Sequence, residues 1–232
     1  MASVRLFEHP HMQDPPTRQP TPFVYIVDSP SASDLLEDYS IGMGLRDALK
    51  AIRIPHVYTL AINKQKLGQA LNEKLHQSIS QWQAWPNVDA VPLIHLCMHG
   101  ADQGIALTDN TCLLWPDLRS LLLGYNYIKG NHPFLCMASC HGISASSMVS
   151  AHDQVFSYLI GNVGNVLQND LTVAYLAFYN HIFKGAPVHA AVDAMKIASG
   201  DPNFYAHWGP NIQNQRFHEL TATQPFYVPS SI

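Results

Sequence analysis

Two rhythms of apolar residues alternate along the chain. Short, nearly unbroken apolar runs stand at 23–28, 56–62, 90–98, 133–138 and 155–160. Their length and apolar content predict five strands, and the third is apolar enough to be buried on both faces, as central parallel strands are. Between the runs, apolar positions recur every three to four residues. Ile41, Leu45, Ala48, Leu49 and Ile52 mark one amphipathic helix, and Leu67, Leu71 and Leu75 a second. Leu118, Leu121 and Leu122 mark a third, which Pro116 starts. Leu171, Tyr175, Phe178 and Ile182 line a fourth that stops at Gly185, and Val188, Ala191, Val192 and Met195 line a fifth. The stretch 104–115, broken by Asp109 and Asn110, reads as a small hairpin. Strands alternating with helices predict an α/β fold, three layers around a mostly parallel central sheet.

This pattern covers one domain, 23–200. A Pro-rich arm, 1–22, precedes it, and a Pro- and aromatic-rich tail, 201–232, is expected to pack on it. Only 13% of the 232 residues are charged, against about 25% in ordinary soluble domains. The net charge is −4 and the 13 basic residues are dispersed, so the clustered basic face of a nucleic-acid binder is not expected. No apolar run reaches the ~18–20 residues that span a bilayer, and the first 22 residues lack the apolar middle of a signal peptide. Four cysteines without a CxxC pair point to a reduced, cytoplasmic protein. Gly161 and Gly164 follow a strand but lack the rest of a phosphate loop, and the one tight Cys–His neighbour pair, Cys140 and His141, is too close for a usual zinc site. No cofactor and no metal are expected.

Chemistry in open α/β sheets gathers at the carboxyl ends of strands. The third strand runs out into His99-Gly100, the fourth into Ser139-Cys140-His141-Gly142. A thiol nucleophile needs a base to make the thiolate, and glycine lets backbone approach a reacting carbonyl. His99 supplies the base, Cys140 the nucleophile, and the Gly100 and Cys140 amides an oxyanion site. Singly, each residue has a plainer reading, since cysteine is among the most buried residue types and this chain holds 13 histidines. Their joint placement at two strand ends, each beside glycine, favours the pair. His95, on the same strand face, reads as a buried, hydrogen-bonded core residue, and His141 as a turn cap. The stripe Tyr175, Phe178, Phe183 reads as core or as a homodimer face.

The apolar strand ending in His99-Gly100 and the apolar strand ending in Ser139-Cys140 resemble the motifs of caspase-like cysteine peptidases, including metacaspases and CHAT domains. The helix pair over 177–194 looks like the one that closes many of these domains, and the resemblance spans roughly 23–200. It implies a caspase-like fold and a His–Cys dyad that cleaves a partner protein or peptide in bacterial defence or regulated proteolysis. Control would come from an activating ligand, a partner or dimerisation. There are departures. Ala138 stands where metacaspases carry an acid and caspases a glutamine, and the loop 28–44 lacks the arginine with which caspases bind aspartate. That loop instead holds Asp28, Asp34, Glu37 and Asp38, with no cation between Asp28 and Gly44. Substrate contacts are therefore expected from Asp28, Asp38, Ala138 and Ser139, with a preference for a basic side chain. The plainer reading of these acids is a solvated loop and helix-start charges. The alternative function is a catalytically silent caspase-like module that binds a protein or a signalling ligand.

Overall fold

The computed structural model describes residues 18–223 and is α/β, three layers around a mostly parallel sheet. Its six main strands are β1 (Gln19–Ser29), β2 (His56–Leu60), β3 (Val88–Ala101), β6 (Phe134–Ala138), β7 (Tyr158–Asn162) and β8 (Phe204–Trp208), and they lie in the order β2-β1-β3-β6-β7-β8. All neighbours are parallel except β7 and β8. Beyond the sheet proper, β3 continues into an antiparallel ribbon with β4 (Gly104–Ala106) and β5 (Cys112–Leu114).

Alternation along each strand divides the core in two. Phe23, Tyr25, Val27, Ile94, Leu96 and Leu135 face one side, where they pack against α3 (Lys64–Gln69), the π turn that continues it, α4 (Leu75–Gln83) and α5 (Trp115–Lys129). Val24, Ile26, Leu93, Cys97, Cys136 and Ile160 face the other, against α2 (Ile41–Ala51), α6 (Gln168–Ile182) and α7 (Val188–Ser199). Tyr175 and Phe178 are fully buried in this second layer and Phe183 packs against it, so the aromatic stripe is core. Each such large side chain contributes about 1.5–3 kcal/mol of burial free energy.

Three differences from the sequence pattern have physical causes. First, β1 starts at Gln19, inside the expected arm; the remaining arm residues, 1–17, lie outside the described ones. Odd-numbered amides of this strand point to β3, as the Gln19 bond to the Asn87 carbonyl shows, whereas the Val24 amide points to β2. The nitrogens of Pro20 and Pro22 therefore face the β2 side, and β2 begins only opposite Val24, so no ladder bond is missed. Second, the expected tail supplies β8 and α8 (Gly209–Thr223), which makes 204–208 part of the sheet itself. Third, a one-turn helix, α1 (Ala32–Leu36), follows β1. Its end is closed by a capping box, in which the Ser31 hydroxyl accepts from the Asp34 amide and the Asp34 carboxylate from the Ser31 amide. Among the described residues, no helix is long and apolar enough to cross a membrane.

Candidate active site

Register builds the site. Asp28 pairs with Cys97 and Cys97 with Ala138 across β1, β3 and β6, so these three share one row and one face. Two residues on stand His99, still within β3, and Cys140, in the turn just past the end of β6. Both line a cavity of about 240 Å³ at the carboxyl ends of the strands, together with Asp28, Asp34 and Ser139.

The backbone here is shaped for close approach. A side chain on Gly100 would put its Cβ 2.2 Å from the Cys140 carbonyl oxygen, so only glycine lets β3 pass the cysteine turn. The turn itself bends at His141, which holds a left-handed φ of 53°. The His141 amide donates to the Gly164 carbonyl at 2.9 Å, and its ring meets Asp102 Oδ1 at 2.8 Å and Asn165 Oδ1 at 3.2 Å. These bonds hold a conformation that ordinarily costs about 1–3 kcal/mol in a non-glycine residue. They also tie the tip of the β3–β4 ribbon to the cysteine turn. His141 is thus more than a turn cap.

His99 is half-exposed, and its Nε2 lies 3.0 Å from Asp34 Oδ2. With Nε2 donating to that carboxylate, Nδ1 is the nitrogen left to take a proton. Burial raises the Asp34 pKa, but the Ser31 hydroxyl and the His99 ring outweigh it and leave it below the usual carboxylate value. The Cys140 thiol is half-buried against the segment entering α6. Its Sγ accepts from the Val166 amide at 3.5 Å and lies 3.8 Å from the Val166 carbonyl.

Asp28 is buried in the cavity wall, and burial raises its pKa against the lowering effect of its donors, the Ser40 and Tyr58 hydroxyls and the Gly42 amide. The Ser40 hydroxyl donates to Asp28 Oδ2, as does that of Tyr58 at 2.9 Å. Ser40 is also the N-cap of α2, so Asp28 anchors that helix as well as facing the cavity. The other expected substrate contacts divide. Ser139 lines the cavity, its buried hydroxyl without a hydrogen-bond partner among the described groups. Ala138 is fully buried in the second core layer and Asp38 is exposed, at a φ of 53°; neither lines the cavity. Ala138 points under the helices, and the turn closing α1 carries Asp38 outward while Asp34 faces in.

Sequence reading counted Asp34 only as one acid of four. The signal that could have singled it out is Ser31-x-x-Asp34, a capping box that fixes the carboxylate's position. His95 is fully buried, with Nδ1 2.8 Å from the Tyr179 hydroxyl, and belongs to the core. Compared with known proteins, the chain matches no family model and none of the curated sequences.

Proposed function

We propose that the protein is a caspase-like cysteine endopeptidase in which His99 is the base and Cys140 the nucleophile. One observation carries this reading: the His99 ring, its Asp34 partner and the Cys140 thiol all line one cavity at the carboxyl end of the sheet. In the reaction the thiol proton passes to His99 Nδ1 as Sγ bonds to the substrate carbonyl carbon. The Gly100 and Cys140 amides hold the resulting oxyanion. When that intermediate collapses, the C–N bond breaks and His99 hands its proton to the leaving amine. A water, deprotonated by His99, then attacks the thioester, releases the acid and restores the thiol. Asp34 acts as a positioning residue, fixing the ring and balancing its charge while it is protonated.

The substrate is a protein or peptide, and the buried Asp28 carboxylate in the cavity wall favours a basic side chain before the scissile bond. Four free cysteines suit a reduced, cytoplasmic setting, with a role in regulated proteolysis or defence. A second reading is a silent binding module, favoured by the ring being held by Asp34 and the thiol by the Val166 backbone. Such contacts are often loose or diverted before substrate arrives.

The test is labelling with an electrophilic peptide, followed by mapping of the modified residue. Label on Cys140, lost in Cys140→Ala and His99→Ala and retained in Cys136→Ala, supports the peptidase. The Cys136 thiol is fully buried, which pushes its pKa up to about 12 and leaves it inert. Turnover that persists in Cys140→Ala ends the peptidase reading.

A further inference from the structure

The ribbon beyond His99 forms a second hollow, of about 220 Å³, which the dyad chemistry leaves unused. Pairing sets its shape. His99, Ala106 and Cys112 lie in one cross-strand row, and Ala101, Gly104 and Leu114 in the next row of the same face. The middle positions are small, so they make a floor, while His99 stands on one side and Cys112 and Leu114 on the other. The opposite face carries Ile105 and Leu113, both buried in the core, so the ribbon cannot roll to fill its own trough. Two bonds hold the tip in place: Trp115 Nε1 donates to the Asp102 carbonyl at 2.7 Å, and the Asp102 carboxylate meets His141 beside the nucleophile.

His99 is in the wall of both hollows. In the proposed peptidase it hands its proton to the leaving amine, so the chain on the leaving side must begin at the His99 ring. The acyl side takes the cavity of Asp28, which leaves the trough for the residues beyond the cut. We propose that the trough is the subsite for the side chain immediately after the scissile bond, and that it takes an apolar side chain of leucine size. This rests on the peptidase reading and deepens it. Besides His99, every lining residue is uncharged, so a carboxylate or ammonium there would be desolvated without a partner. At about 220 Å³ the hollow has room for a large side chain.

The experiment uses peptides that share one acyl half and carry Leu, Gly, Asp or Lys after the cut, with an electrophilic peptide that ends at its reactive carbonyl as a separate probe of the dyad. Leu is expected to exceed Gly in kcat/KM by about tenfold or more, and Asp and Lys to fall below Gly. In Leu114→Asp, a half-exposed position where the fold tolerates a charge, the Leu:Gly ratio should collapse towards one. Cys140 labelled and peptides cleaved at a Leu:Gly ratio near one overturns the subsite and leaves the peptidase standing. A Leu preference that survives Leu114→Asp also overturns it. No label on Cys140 and no cleavage overturns the peptidase reading, and the subsite with it.

Discussion

The buried imidazole of His95 should make this fold less stable in acid. His95 is fully buried on β3, with the Tyr179 hydroxyl at Nδ1, the Tyr175 ring edge-on at 4.5 Å, and Nε2 without a partner. The groups that face it, Cys97, Cys136, Tyr175 and Tyr179, are themselves pushed up by burial and stay neutral. Desolvation alone lowers the His95 pKa from 6.5 to about 3. Between those values the unfolded chain binds a proton that the folded chain does not. Stability from this source is whole above pH 6.5 and falls as pH drops towards 3, by about 1.4 kcal/mol per unit. At pH 4.5, two units into the window, the loss is about 2.7 kcal/mol, a large share of the ~5–15 kcal/mol that holds a domain folded. Urea unfolding at pH 7.0, 5.5 and 4.5, for wild type and His95→Gln, isolates the effect, because every other titrating group cancels in the difference. His95→Gln should be less stable at pH 7.0 and should lose about 2–3 kcal/mol less between pH 7.0 and 4.5. Parallel stability curves would refute the argument.

The site itself gives four more expected outcomes. Asp34→Asn should lower kcat by about 10²-fold or more, with a smaller effect on KM, and should change the pH–rate profile; an unchanged profile removes Asp34 from the mechanism. Gly100→Ala forces the Cys140 carbonyl to move, so Cys140 labelling should fall and stability should drop by about 1–3 kcal/mol; labelling at the wild-type rate contradicts this. A peptide-library profile should favour Arg or Lys before the cut, and one favouring Asp overturns the role given to Asp28. The active form should be uncut between Gly142 and Val155. That stretch holds the packed turn Gly142–Met148, whose end is bonded by Arg119, itself paired with Asp153; mass analysis of the labelled protein decides it.

The layers and most strands were legible because burial on two sides writes itself as unbroken apolar runs, and the His99 and Cys140 positions because those runs end there. What escaped depends on residues far apart in the chain. The β8 segment alternates too weakly to announce a strand, with only Phe204 buried of its five residues, and becomes one by pairing with β7. Asp34 meets a histidine 65 positions away in the chain. Asp38 and Asp34 look alike in sequence, and only the short α1 turn separates the one facing solvent from the one facing the ring. Ala138 shares its face with Asp28 and Cys97, but it is packed fully under the helices of the second layer and does not reach the cavity.

The two prolines early in β1 bear on how this sheet meets other chains. A residue's N–H and C=O point to the same side of a strand, so Pro20 and Pro22 turn two carbonyls, and no donors, towards the flank that β2 does not reach. An incoming strand could give hydrogen bonds there but receive none from those residues, which halves the ladder it could build. The stretch is therefore a poor template for edge-to-edge association, even though it continues directly into the fully buried part of β1.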